Sequence, residues 1–175
     1  MREQLFAALP DVDAFDGTAE SIPLPDGSVD AITCGQAFHW FRTEEALREM
    51  HRVLRPGGGV ALVWNVRDVS DPLQARIQEI LAPHSGAVRS HREIDPAALL
   101  GGELFGPVET WSLAYEQPAV ARPPRRPHLV DELRRHPRSR RPRRGCSARV
   151  LEAADGLPEP ISIPYTTDVY VAHRL

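Results

Sequence analysis

From Met1 to about Gln117, apolar side chains alternate between helical spacing and short continuous runs. Leu5, Phe6 and Leu9 share one face of a helix over Arg2–Leu9, which Pro10 ends. Val12–Phe15 is a short candidate strand closed by Asp16-Gly17. Pro23, Pro25, Asp26 and Gly27 predict a loop rich in turn chemistry. Val29–Cys34 (VDAITC) reads as a buried parallel strand. Thr43 is the expected N-cap of the next helix, with Glu44 and Glu45 favourably placed in its first turn. Leu47, Met50, Val53 and Leu54 line one face of that helix. Arg48, Arg52 and Arg55 complement its C-terminal end, and Pro56-Gly57 stops it. Val60–Trp64 (VALVW) is the clearest strand.

Asp71-Pro72 opens a helix carrying Leu73, Ile77, Ile80 and Leu81, and Asp95-Pro96 opens a shorter one. Trp111, Leu113 and Tyr115 alternate with Thr110, Ser112 and Ala114 as in a half-buried strand, and Thr166–Ala172 alternates like a closing one. Strands separated by helices of this length imply a parallel α/β sheet with crossovers.

Composition sharpens this picture in two places. At 175 residues, 42 % hydrophobic and 26 % charged, the chain suits one domain. It has no transmembrane-length apolar run and no secretory n-region and h-region at its start. Cys34 and Cys146 alone cannot build a disulfide framework, so a soluble cytoplasmic protein without membrane contact is expected. The net charge of −3 hides an uneven distribution. All 21 basic residues are arginine, and 11 of them lie between Arg122 and Arg149, against only Asp131 and Glu132. Five prolines and few bulky apolar residues interrupt that tract, so disorder is expected there, with order resuming near Val150.

No catalytic arrangement stands out. No G-x-S-x-G elbow presents a nucleophile. Cys34 could pair with His39 as a thiolate, but an inert buried thiol in a core strand is the stronger expectation. His39 and His51 lack the spacing and third ligand of a metal site. Gly57-Gly58-Gly59 precedes a strand and lacks dinucleotide-loop spacing, so it serves as a tight turn.

Gly17–Gly59 taken whole is the most informative stretch. It reads GTAESIPLPDGSVDAITCGQAFHWF, then a helix, then RVLRPGGGVALVW. It resembles class I S-adenosylmethionine-dependent methyltransferases of the small-molecule group sometimes called type 11. The G-x-A-E-x-L-P-type loop falls on Gly17, Ala19, Glu20 and Pro23. The strand with its aspartate and aromatic exit falls on Val29, Asp30 and Gln36–Phe41. The L-[RK]-P-G-G turn falls on Leu54–Gly58. The resemblance covers roughly residues 1–120, and the closing segment from Pro164-Tyr165 to Arg174 is similar to the family's final strand.

The resemblance implies a partial Rossmann-like methyltransferase sheet, mostly parallel with antiparallel C-terminal strands, that transfers methyl from S-adenosyl-L-methionine to a small-molecule acceptor. No metal or nucleophilic side chain is obligatory for such a displacement, which depends on positioning. It places Thr18, Ala19 and Glu20 against the adenine, with Thr18 standing where relatives often carry Asp. Gln36 and Ala37 fall beside the methionine part of the cofactor, and His39 and Trp40 on the acceptor side, near the sulfonium cation. The alternative for Phe38, Trp40 and Phe41 is core beneath the following helix. Asp30 is expected to orient the loop.

The resemblance also exposes an absence. The family opens with a strand, a glycine-rich E/D-x-G-x-G-x-G turn, a helix and a second strand ending in an acid that binds the ribose. None of these occurs in the 175 residues. The expectation is an N-terminally truncated domain lacking its first two strands, with impaired cofactor binding and an empty edge beside Val29. Residues 1–120 would form the core, 121–149 an Arg/Pro-rich insert, and 150–175 a final strand segment of the same domain. The insert is read as a disordered frame disturbance in GC-rich coding DNA. Its rival is a non-catalytic remnant that binds nucleic acid or other anions electrostatically. No aromatic residue interleaves the tract, so nucleic acid is the less expected partner.

Overall fold

The computed structural model describes residues 7–84, 95–119 and 144–175. Its strands are β1 (Val29–Gly35), β2 (Leu54–Arg67), β3 (Glu109–Ala119) and β4 (Ile161–His173), in the order β1-β2-β4-β3. Its helices are α1 (Thr43–Val53), α2 (Pro72–Leu81), α3 (Pro96–Leu100) and α4 (Arg144–Ala153), with a 3₁₀ turn at Phe38–Trp40.

β1 and β2 are parallel and joined through α1, with Ile32 opposite Val60 and Cys34 opposite Leu62. Asp68 N–H donates to Pro164 O (3.4 Å) at one end of β2, and Arg174 N–H to Gly58 O (2.8 Å) at the other, so β4 runs antiparallel to β2. The Ser112–Asp168 and Ser162–Glu116 hydrogen bonds set β3 antiparallel to β4. The sheet is therefore mixed α/β with antiparallel closing strands, as expected, and its described parallel part is the β1–β2 pair.

The chain divides into two compact units. The first comprises Met1–Val63, Ile94–Thr110 and Tyr170–Leu175. Ala46, Leu47, Met50 and Val53 form the buried stripe of α1, and Val60 and Leu62 are buried on β2. The second comprises Trp64–Glu93 and Trp111–Val169. Its core gathers Ile77, Ile80, Val150, Ala154, Ile161, Ile163 and Tyr165, with Tyr115 stacked on Tyr165 at 5.7 Å. Each such apolar side chain contributes roughly 1.5–3 kcal/mol when fully buried. Gln74 is buried there too, and its Nε2 donates to Pro164 O at 2.6 Å, which satisfies an otherwise costly polar group.

Several expectations need correction. Val12–Phe15 is not a strand, and without a ladder partner its Val12 and Phe15 side chains are 44 % and 57 % exposed. β1 is parallel as expected but buried only at Cys34, because it is the terminal strand in the order. Thr43 is the first helical residue and not the N-cap; Arg42 holds that position without a side-chain cap of its own. β2 starts directly at Leu54, well before the predicted Val60. β3 is mostly exposed, Leu113 by 68 %. α4 starts at Arg144, before the predicted Val150. The caps at Asp71 and Asp95 form as predicted, accepting from Gln74 N–H, and from Ala97 and Ala98 N–H. Most of the Arg2–Leu9 helix and of the arginine tract lies outside the described residues.

Candidate functional site

The site is built from two turns. In the first, Thr18 N–H donates to Ser21 O (3.2 Å) and Ser21 N–H returns to Thr18 O (3.1 Å), closing a tight loop around Ala19 and Glu20. A Cβ on Gly17 would stand 2.6 Å from Pro23 Cδ and 2.9 Å from Ser21 O, so only glycine enters this loop without displacement. Thr18 is exposed, and Ala19 and Glu20 are half-buried.

The second turn leaves the carboxyl end of β1. Gln36 N–H donates to Val63 O (2.9 Å), and Gln36 takes φ 51°, a left-handed value uncommon outside glycine. Trp40 N–H then donates to Ala37 O (2.9 Å) and Phe41 N–H to Phe38 O (3.1 Å), forming the 3₁₀ turn. Phe38 is buried and meets Phe41 edge-on at 5.9 Å, so the core reading holds for Phe38. His39 and Trp40 are half-buried, with ring centroids 4.8 Å apart. Gln36 is exposed and Ala37 half-buried.

Glu20 joins the two turns. Its Oε1 accepts the Arg42 backbone N–H at 2.9 Å, immediately after the aromatic trio. That hydrogen bond is the main reason its carboxyl sits below the usual range; the Thr18 side chain adds to it and partial burial opposes it. The link between the two turns runs through Glu20 and the Arg42 backbone, with Thr18 and Ala19 flanking Glu20 and with Gln36, Ala37, His39 and Trp40 preceding Arg42 in the chain.

A second pair of residues, unmarked in the sequence reading, holds the strap between the first turn and β1. Glu49 Oε1 accepts the Ile22 N–H at 2.8 Å, and both Glu49 oxygens accept from Arg52 at 2.7 and 2.9 Å. Arg52 donates onward to Ile22 O (2.9 Å), Leu24 O (2.9 Å) and Asp26 Oδ1 (2.6 Å). Arg52 holds the Glu49 carboxyl down at about 2, and the Ile22 N–H reinforces this. The Glu49 and Asp26 carboxylates in turn raise the Arg52 guanidinium above its ordinary value. A signal existed in the E-x-x-R spacing of Glu49 and Arg52, but nothing local announced partners 26 to 30 residues away.

Asp30 pairs with Arg55 at 2.5 Å, which anchors the base of β1 to the bulged start of β2. In that bulge a Cβ on Gly58 would lie 2.9 Å from both Arg55 O and Asp30 O. Arg174 donates to Leu54 O from the chain's far end. Burial pushes the Cys34 thiol up to about 11, which agrees with an inert thiol and argues against a thiolate pair with His39. A cavity of about 510 Å³ is lined by Ala148, Leu151, Glu152 and Asp155 among others, and none of the sequence-named site residues lines it. No helix among the described residues is long and apolar enough to cross a membrane.

Residues 1–62 match the Methyltransferase domain family. An uncharacterized methyltransferase of Schizosaccharomyces pombe is 49 % identical over 81 residues, 46 % of this chain and 32 % of the relative. An uncharacterized methyltransferase of Mycobacterium tuberculosis is 47 % identical over 89 residues, 51 % of this chain and 37 % of its own length. A ubiquinone/menaquinone biosynthesis C-methyltransferase of Methylobacterium nodulans is 40 % identical over 82 residues, 44 % of this chain and 32 % of that protein. The chain therefore spans well under half the length of these curated relatives. A solved structure from Anaeromyxobacter dehalogenans, provisionally described as a type II methyltransferase, shares the fold with TM-score 0.50 at 22 % identity, covering 90 % of this chain and 68 % of that one.

Proposed function

We propose that this chain is a class I S-adenosylmethionine-dependent methyltransferase that serves methyl transfer from S-adenosyl-L-methionine to a small-molecule acceptor. The observation that supports the reading is the Glu20–Arg42 hydrogen bond, which ties Glu20 to the residue that follows the Gln36–Phe41 segment leaving β1. Ligands of open α/β sheets bind outside the carboxyl ends of the strands.

The residues present fit the adenosyl group on this side. A Cβ on Gly35 would meet nothing within 4 Å, so the strand exit is open among the described residues. Thr18 and Gln36 are exposed polar residues. When bound, the cofactor supplies a methyl group on a sulfonium, whose departure leaves a neutral thioether. Thr18, Ala19 and Glu20 would hold the adenine edge, and Glu20 stays ionised while it does so. Gln36 and Ala37 would lie along the methionine portion. His39 and Trp40 would present ring faces on the acceptor side, where an aromatic quadrupole favours a nearby cation. No residue is required to give or take a proton from the cofactor.

The quinone-pathway name of the Methylobacterium relative supports a small-molecule acceptor. The finer part of the proposal concerns strength. The 175 residues hold no E/D-x-G-x-G-x-G turn, so on their own they should bind the cofactor more weakly than micromolar. A micromolar constant by titration calorimetry would overturn that part. The site itself is tested by ultraviolet cross-linking of methyl-tritiated S-adenosylmethionine followed by peptide mapping. Label competed by S-adenosylhomocysteine and confined to peptides bearing residues 17–21 and 36–41 is expected. Label that is not competed, or is spread along the chain, would contradict the assignment.

A further inference from the structure

We infer that Glu49 and Arg52 form a positioning latch: from α1 they fix the Ile22–Asp26 strap and thereby present Thr18–Glu20 to the cofactor. The inference rests on the cofactor reading above and adds residues that no sequence motif assigned to the site.

The geometry is specific. Glu49 spends one carboxylate oxygen on the Ile22 N–H and receives Arg52 on both. Arg52 then spreads its two Nη groups over three further acceptors, Ile22 O, Leu24 O and Asp26 Oδ1. Within the strap Leu24 N–H reaches only Ile22 O and Pro23 and Pro25 have no N–H to offer; its further anchors sit at the far end, where Ser28 Oγ donates to Pro25 O (2.7 Å) and Gly27 N–H to Arg52 O (2.9 Å). A planar guanidinium can satisfy such a divergent set, and a lysine ammonium on its flexible stem cannot reproduce the fork. Glu49 and Arg52 are only partly exposed, at 17 % and 33 %, so the pair is less screened than a surface ion pair. The strap begins one residue after Ser21, which closes the Thr18–Ser21 loop. Loosening the strap therefore frees the C-terminal side of the adenine-side loop, while the Glu20–Arg42 bond still holds its middle.

Other pairs on α1 differ in kind. Arg48 meets only Glu44, one turn away, with both side chains largely exposed, so it provides a control on the same helix.

The test is amide-resolved nuclear magnetic resonance on the full chain, with sinefungin, a soluble amine analogue of the cofactor, added in the sub-saturating range. There the initial slope of the Thr18, Ala19 and Glu20 amide shifts scales inversely with the dissociation constant. Arg52→Gln should cut that slope about tenfold and speed exchange of the Ile22 amide hydrogen. Arg52→Lys should recover less than half of the slope, and Arg48→Gln should leave it unchanged. Glu49→Gln keeps an acceptor for Ile22 and provides a milder variant should Arg52→Gln fold poorly; its slope should also fall. Unchanged slopes in Arg52→Gln or Glu49→Gln alongside faster Ile22 exchange would overturn the positioning role and leave the cofactor site standing. Absence of any shift at Thr18–Glu20 in the unsubstituted chain would overturn the cofactor reading, and the latch's role with it.

Discussion

Gly58 shows how closely single atoms define this molecule. A methyl group there would press on two backbone carbonyls, Arg55 O and Asp30 O, each at 2.9 Å. Neither can swing aside as a side-chain tip would. Gly58→Ala should therefore cost about 1–3 kcal/mol, as overpacking does, and urea denaturation would measure it. Cys34 makes the opposite point, that position can silence a reactive group. With its thiol pushed up to about 11 by burial, very little thiolate exists at pH 8. Iodoacetamide at pH 8 should label Cys34 only in denaturant, as read by peptide mapping. Labelling in the native state at the rate of an unhindered thiol would contradict its placement. The burial of Cys34 was legible in its apolar run, whereas Pro56–Gly59, expected as a tight turn before the strand, lies inside β2 as a bulge between the Val29–Leu54 and Ala31–Gly59 pairings. The Glu20 cap on Arg42 was not legible, because a contact spanning 22 residues leaves no local periodicity.

Elements divide along the same line. Helix starts were readable where the cap is local: Asp71 and Asp95 each accept hydrogen bonds from backbone N–H groups two or three residues on. Replacing Asp71 with Ala should cost about 1 kcal/mol, measurable by thermal or urea unfolding. Thr43 carried the same local signature and does not cap, because it is already the first helical residue; Arg42 holds the N-cap position, and its own N–H donates to Glu20 from outside the helix. β1 was readable as a strand, but its exposure was not, since burial depends on neighbours that a run of apolar letters cannot specify. The strap latch brings a pH signature to α1. Glu49 titrates at about 2 in the folded chain against an ordinary value of 4.5, so its stabilisation is fully present above 4.5 and is lost as pH falls toward 2. The stability gap between the unsubstituted chain and Glu49→Gln should shrink from pH 5 to pH 3. A gap that is constant or widens would contradict the pairing.

For the molecule as a whole, strand, turn and helix follow one another from Gly17 to Gly59 in the order the motif reading requires, and the sheet carries one parallel and two antiparallel pairings among the described strands. The C-terminal end is tied back to the glycine bulge by Arg174 N–H on Gly58 O and by the Arg174 guanidinium on Leu54 O. That closure was half legible: the alternation of β4 predicted a strand, but not which segment it would meet. Among the described residues the ion pairs draw on Arg42, Arg48, Arg52 and Arg55, on α1 and its flanks, and on Arg76 of α2. In the proposed site, two turns linked through Glu20 hold S-adenosylmethionine near the carboxyl end of β1. The decisive measurement is a full map of amide shifts on adding sinefungin to the 175-residue chain. Changes concentrated at Thr18–Glu20 and Gln36–Trp40, with β3 and α4 unmoved, are expected; changes centred on α4, or none at either turn, would overturn the site.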